Sequence, residues 1–247
     1  MKRNILSEVL ASVLVNAVYA MRNFPVVLIN LLLTPLSFLI VISFVSHGAL
    51  IGVAIEGAFI MTMVSNGIGL QGDLSHLKND LKLQDMVVSS PTSAFTYMIG
   101  MALSEIMYAL PSLIILSVLA VLFLNLGILA ALVITAVLIM IFVVSLSLGF
   151  FLSTFTSDVI QSWAFSGMLS LLLSTLPPVY YPLTYIPLPY RYIAFISPTT
   201  YAAEIIQNIT GFVSLSYSSV IIAWAVLLAF TIVLLFAAIK RSRWTDI

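Results

Sequence analysis

The chain contains no cysteine among its 247 residues. That excludes disulfides, thiolate metal sites and cysteine nucleophiles. Charge is nearly as scarce: 7% of residues are Asp, Glu, Lys or Arg, against about 25% in a soluble domain. So little charge cannot cover a water-facing globule. The nine basic and nine acidic residues cancel, which leaves no basic face for nucleic acid. There is no G-x-x-x-x-G-K-[ST] phosphate loop, so the chain cannot hydrolyse ATP by that route. H-E-x-x-H and G-x-S-x-G are missing too, and both histidines, His47 and His76, fall in expected loops. Neither a catalytic residue nor a metal ligand is assigned.

What the chain has is apolar length. Apolar residues make up 62% of it, and the mean hydropathy is +1.21. A bilayer core about 30 Å thick needs about 20 apolar residues in a helix. Six stretches serve, near 26–46, 50–70, 97–123, 128–152, 162–178 and 218–239. They lack the period-2 alternation of barrel strands, and in lipid the backbone must satisfy itself, so they are helices. The expected fold class is an all-α polytopic membrane protein, one transmembrane domain over 1–247. Spans one and two, and three and four, are joined by a few residues and form helical hairpins.

Basic residues orient the spans. Lys2, Arg3, Arg22, Lys78, Lys82, Lys240, Arg241 and Arg243 fall on one side, with only Arg191 on the other. The expectation is a multi-pass protein of the cell membrane with both termini cytoplasmic. Glu8 and Asn16 follow Lys2 and Arg3 too closely for a secretory leader. Over 1–25, Leu6, Leu10, Val13, Leu14, Ala17 and Met21 oppose Glu8, Ser12, Asn16, Tyr19 and Asn23. This is the moment of an amphipathic helix lying in the membrane interface. The competing reading, a short extra span, spoils the charge asymmetry.

Two connections are unusual. The cytoplasmic loop 72–96 contains Leu74, Leu77 and Leu81 at helical spacing among Lys78, Asp80, Lys82 and Asp85. It reads either as a solvated loop helix or as a docking knob for a cytoplasmic partner. The outer segment 178–217 follows Pro177 and is rich in proline and tyrosine, with Arg191 and Glu204 its only charges. Prolines break helices and tyrosines favour the lipid–water boundary. The segment should dip into the outer leaflet as short re-entrant helices, or form a plain aromatic belt. Glu56 and Glu105 lie at membrane depth, where an ionised acid costs a few kcal/mol and must face protein or water. They are either hydrogen-bonded helix contacts or parts of a cation relay. Pro35 and Pro111 should kink spans one and three.

The run Pro177-Pro178-Val179-Tyr180-Tyr181-Pro182-Leu183-Thr184-Tyr185-Ile186-Pro187, followed by Tyr190-Arg191-Tyr192 and Ser197-Pro198-Thr199-Thr200-Tyr201, resembles a family signature. It is similar to the segment between the last two spans of type-2 ATP-binding-cassette (ABC) exporter permeases. Leu83, Met86, Val87, Ser90 and Pro91 resemble the coupling-helix stretch of the same family. The resemblance covers the whole layout: interfacial helix, six spans, cytoplasmic coupling helix and outer re-entrant helices.

That resemblance implies a permease subunit without its own ATPase site. A second copy would complete a dimeric pathway. Two separate cytoplasmic ATP-binding subunits would bind ATP and Mg, so this chain itself needs no cofactor. Coupling would run through Leu81, Leu83, Met86 and Val87, and the outer gate would include Pro178, Tyr180, Tyr181, Pro182 and Pro198. Spans two and five would face the dimer mate. Phe59, Met63 and Asn66 form one stripe on span two; Met168, Leu172 and Thr175 form another on span five. Methionine suits a surface that accepts varied apolar shapes. Each stripe is equally readable as a packing seam within one protomer. Membrane lipid surrounds the whole. The expected cargo, moved outward, is drug-like, lipid or otherwise amphipathic. The alternatives are a polysaccharide or glycolipid export permease of the same family, and a cation-coupled secondary transporter or channel using Glu56 and Glu105.

Overall fold

The structure, a computed structural model, describes residues 5–79, 94–156 and 158–241. The described residues form helices joined by turns and short irregular connections, without strands. Helix α1 spans Ile5–Asn23 and contains a π turn at Leu14–Val18. It is followed by α2 (Pro25–Val45), α3 (Ile51–Asn79), α4 (Ala94–Phe123), α5 (Ile128–Ser153) and α6 (Val159–Thr175). A 3-10 turn at Leu183–Tyr185 and two short helices, α7 (Arg191–Ala194) and α8 (Pro198–Ile209), lead to α9 (Tyr217–Arg241). This is the all-α polytopic architecture read from the sequence.

Six helices are long and apolar enough to cross a membrane: Ile5–Asn23, Leu28–Val45, Ile51–His76, Thr96–Phe123, Ile128–Ser153 and Tyr217–Lys240. Five of them fall on stretches read as spans from the sequence. The sixth is α1, while α6, the expected fifth span, has only 17 residues, about 26 Å of helix. α1 does not stand alone. Asn16 donates from Nδ2 to Met101 Sδ at 3.3 Å, and the Tyr108 hydroxyl donates to the Asn16 carbonyl at 2.5 Å. Its Ser12 side comes so close to Gly100 that a Cβ there would sit 2.5 Å from Ser12 Oγ. The polar side of α1 is thus turned to protein, and Leu6, Leu10 and Leu14 are exposed.

The core is α3. Of the window Ile51–His76, 83% is buried, against 11% of Leu28–Val45 and of Tyr217–Lys240. Val53, Ala54, Ile55, Ala58, Ile60, Val64 and Ile68 are fully enclosed. α5 approaches α3 at backbone distance. A Cβ on Gly149 would lie 2.9 Å from the carbonyls of Gly67 and Ile68, and one on Gly67 would lie 2.6 Å from Ser145 Cβ. Small residues let helices pack this tightly where lipid gives no hydrophobic drive. α6 docks by a different pattern: Ser162, Ser166, Ser170 and Ser174 are buried at every fourth position, while Ile160, Phe165, Met168 and Leu172 are exposed. Phe44, Val121, Ile128 and Val233 are likewise exposed on the other long helices. An apolar exterior around a core with a polar seam is that of a multi-pass membrane protein.

Pro35 shows how a helix breaker is accommodated. Proline has no N–H, so the carbonyl of Leu31 loses its helical partner. Ser112 of α4 donates to that carbonyl at 2.9 Å. The freed group therefore becomes a tie between α2 and α4. At the turn between α2 and α3, Gly48 takes φ +84°, a left-handed conformation that favours glycine.

Candidate functional site

Two cavities flank α3 on different faces. The inner one, about 560 Å³, lies between α2, α3, α4 and α6. α3 supplies Met61, Thr62, Ser65, Asn66, Gly69 and Asp73, a face repeating about every four residues. α2 adds Asn30 to Phe38, α4 adds Glu105 and Tyr108, and α6 adds Trp163, Ser166 and Ser170. The outer cavity, about 420 Å³, lies toward α4 and α5 and includes Glu56, Phe59 and Met63.

The polar lining of the inner cavity is mostly engaged with its own helices. Thr62 donates to the Ala58 carbonyl and Asn66 to the Thr62 carbonyl, each at 2.8 Å. Thr34 donates to Asn30 at 3.1 Å. Below Asn66, fully buried Gln71 accepts from Ser166 at 3.2 Å and donates to Thr156 at 3.4 Å. Thr156 pairs with Ser162 at 2.7 Å. This chain of side chains ties α3 to the start of α6, where Asp158 caps the helix by accepting from Gln161 N at 2.9 Å.

Glu105 lines the inner cavity, is 3% exposed, and shares a hydrogen bond with Asp73. Its Oε1 has no partner. Glu56 is buried in the outer cavity with neither carboxyl oxygen hydrogen-bonded. The nearby Thr210 hydroxyl donates instead to the Ile206 carbonyl at 2.9 Å.

The two sequence stripes fare differently. Phe59 and Met63 are buried in the core with α4 and α5, and Asn66 lies on the neighbouring face, at the inner cavity. Met168 and Leu172 are exposed on α6, while Thr175 Oγ1 is buried without a partner. The span-two stripe is therefore divided between two cavities. The four coupling residues, Leu81, Leu83, Met86 and Val87, lie outside the described residues. α3 continues unbroken to Asn79, so Asp73, read as the start of a loop, extends the spanning helix. Asp73 and Gln71 were not singled out as site residues from sequence; the seven-residue step from Asn66 to Asp73, two helical turns on one face, was the available signal.

The outer segment is folded onto the bundle. Pro178, Tyr180, Pro182 and Pro198 are buried and Tyr181 is half-buried. Tyr180 stacks on Phe38 at 5.6 Å, and its hydroxyl donates to Met61 Sδ at 2.9 Å. Gln207 of α8 donates to the Pro178 carbonyl at 3.2 Å, and Thr199 to Leu173 at 2.6 Å. Arg191 donates to the Ile186 and Thr184 carbonyls at 3.1 and 3.2 Å. Tyr180 thus stands at the outer end of the wall that Phe38 and Met61 give the inner cavity.

A family model described as ABC-2 type transporter matches residues 8–210. The chain belongs to the ABC-2 type transporter family. The match runs from α1 to the end of α8 and so includes both cavities and the folded outer segment. No curated protein matches the chain significantly. Membership makes it the permease-type membrane component of a transporter, not its ATPase, and implies ATP-binding partner subunits.

Proposed function

We propose that the chain is the permease subunit of an ATP-driven exporter. Two copies form the pathway in the cell membrane, with both termini cytoplasmic, and two separate subunits bind ATP and Mg at the cytoplasmic side. The observation that carries this is the inner cavity between α2, α3, α4 and α6 in a chain matched by the transporter family over 8–210. Its lining is mixed, with Phe38, Met61 and Leu171 beside Thr62, Asn66 and Ser166, which supports an amphipathic cargo. Asn66 at the cavity and exposed Met168 and Leu172 on α6 are assigned to the pathway, the latter two facing the second copy. Phe59 and Met63 are assigned to packing inside one protomer. Pro178, Tyr180, Tyr181, Pro182 and Pro198 close the outer end. Leu81, Leu83, Met86 and Val87 transmit the ATPase stroke.

The test is assembly and crosslinking. Tagged chain should co-purify with an ATP-hydrolysing subunit, and Leu83→Asp should release it. A cysteine at Met168 should crosslink to its mate in the other copy, and one at Phe59 should not. Monomeric chain without an ATPase partner, and no crosslink at Met168 in resting or nucleotide-bound states, would sink the proposal.

A further inference from the structure

The inner cavity has a direction. Met61 and Asp73 are twelve residues apart on α3, about 18 Å along the axis. Phe38 and Met61 mark one end; Asp73 and Glu105 mark the other, with Trp163 among the lining residues. No Lys, Arg or His is among the described lining residues. His76, one turn beyond Asp73 on α3, acts on it electrostatically, and Tyr97 of α4 lies within the same field.

Two carboxyl groups within hydrogen-bond reach share a proton, and a cation beside them favours the charged form of the second. Here the pair faces a cavity with no fixed cation among its described lining residues. Glu105 also carries a buried acceptor, Oε1, that no described residue satisfies. Two donors on this side are engaged elsewhere: the Tyr108 hydroxyl goes to the Asn16 carbonyl at 2.5 Å, and Asn16 Nδ2 bonds Ser12 at 3.1 Å and Met101 at 3.3 Å. Gly69, facing Glu105, has no side chain to offer. A buried acceptor without a donor is rare in native proteins and costs free energy until one arrives. The missing group must bring a hydrogen-bond donor and a positive charge, with an apolar body behind it. An aromatic wall such as Trp163 adds attraction for a cation.

We propose that the inner cavity is a binding site for protonated amphipathic amines, the ammonium held by Asp73 and Glu105 and the apolar body directed toward Phe38 and Met61. This deepens, and rests on, the permease reading, by naming the charge class of the cargo.

The test uses the full chain in lipid nanodiscs and three probes with one body: octylammonium, octanol and octanoate. Octylammonium should give saturable changes in tryptophan fluorescence and raise the melting temperature; the other two should do neither. The Asp73→Asn/Glu105→Gln double variant should lose affinity for octylammonium by about tenfold or more, while Glu56→Gln, which removes a carboxylate elsewhere, should not. Asp73→Glu keeps the charge and should keep binding, which separates recognition from folding. Equal affinity in the double variant, or equal binding of octanol or octanoate, overturns the site. If ATP drives transport irrespective of head-group charge, the cation site falls and the permease reading stands. If octylammonium binds as expected but no ATP-driven movement of any probe is found in the assembled complex, the site stands and the permease reading falls.

Discussion

The two glutamates at membrane depth live in opposite company. Glu105 has Asp73, Tyr108 and a cavity of mixed lining around it, so its carboxyl group is partly satisfied. Glu56 has Phe59, Met63 and the aliphatic side chains of α4 and α5, and both its oxygens go without a partner. Both acids look alike in the sequence: single carboxyl groups in apolar runs. Their neighbours, brought in by other helices, give them different consequences. A polar group with a partner holds two helices in register; one without a partner is a cost to the fold.

The largest effect is expected at the seam between α3 and α5. Gly149→Leu would drive a side chain into the Gly67 and Ile68 carbonyls, which a Cβ alone already approaches to 2.9 Å. α3 and α5 must separate, and folded protein recovered from the membrane should fall to near nothing. Normal yield would mean that the seam is looser than its geometry.

Next come the acids, with opposite signs. Glu105→Leu removes the partner of Asp73 and should destabilise by about 1–3 kcal/mol, read as a lower melting temperature. Glu56→Leu exchanges an unpartnered carboxyl for an apolar group in an apolar cavity and should stabilise by a similar amount. Shifts of the same sign would break the comparison. Ser166→Ala removes the donor to Gln71 and should cost about 1 kcal/mol; no change would mean that Gln71 finds a replacement.

The smallest effect belongs to Glu204 on α8, outside the spans. Burial raises its pKa above the ordinary 4.5. The folded state therefore favours the protonated acid. That stabilisation is complete below the unfolded value and is lost as pH rises through the raised one. Glu204→Gln should melt higher than the parent at pH 7, and the gap should close near pH 4. A gap that widens toward acid would reverse the assignment.

Most spans were legible because a long apolar run has one stable form in lipid, a helix. The prolines and tyrosines of 178–217 led to the expectation of short broken helices or an aromatic belt; that Tyr180 is buried against α2 and α3 was not in that pattern. Asp73 was read into the connection 72–96 because hydropathy falls at Gln71 and Asp73, and falling hydropathy resembles an exit from the membrane. The helix continues because neighbouring helices, not lipid, surround those side chains: Gln71 is fully buried and bonded to Ser166. The stripe of Phe59, Met63 and Asn66 was a sound helical spacing, yet spacing fixes only angle along one helix. Which neighbour fills that angle is a tertiary fact, and two different cavities share it.

By itself, then, the amino-acid order determined the solvent, the helices and the family. Apolar runs, sparse charge and a proline–tyrosine signature are local properties, readable without knowing what packs against what. Only the tertiary structure decided that Asp73 meets Glu105 across thirty-two positions of sequence, that Ser112 answers the Leu31 carbonyl, and that Glu56 is left unanswered. Burial and hydrogen-bond partnership depend on which helices come together, and no single helix carries that information.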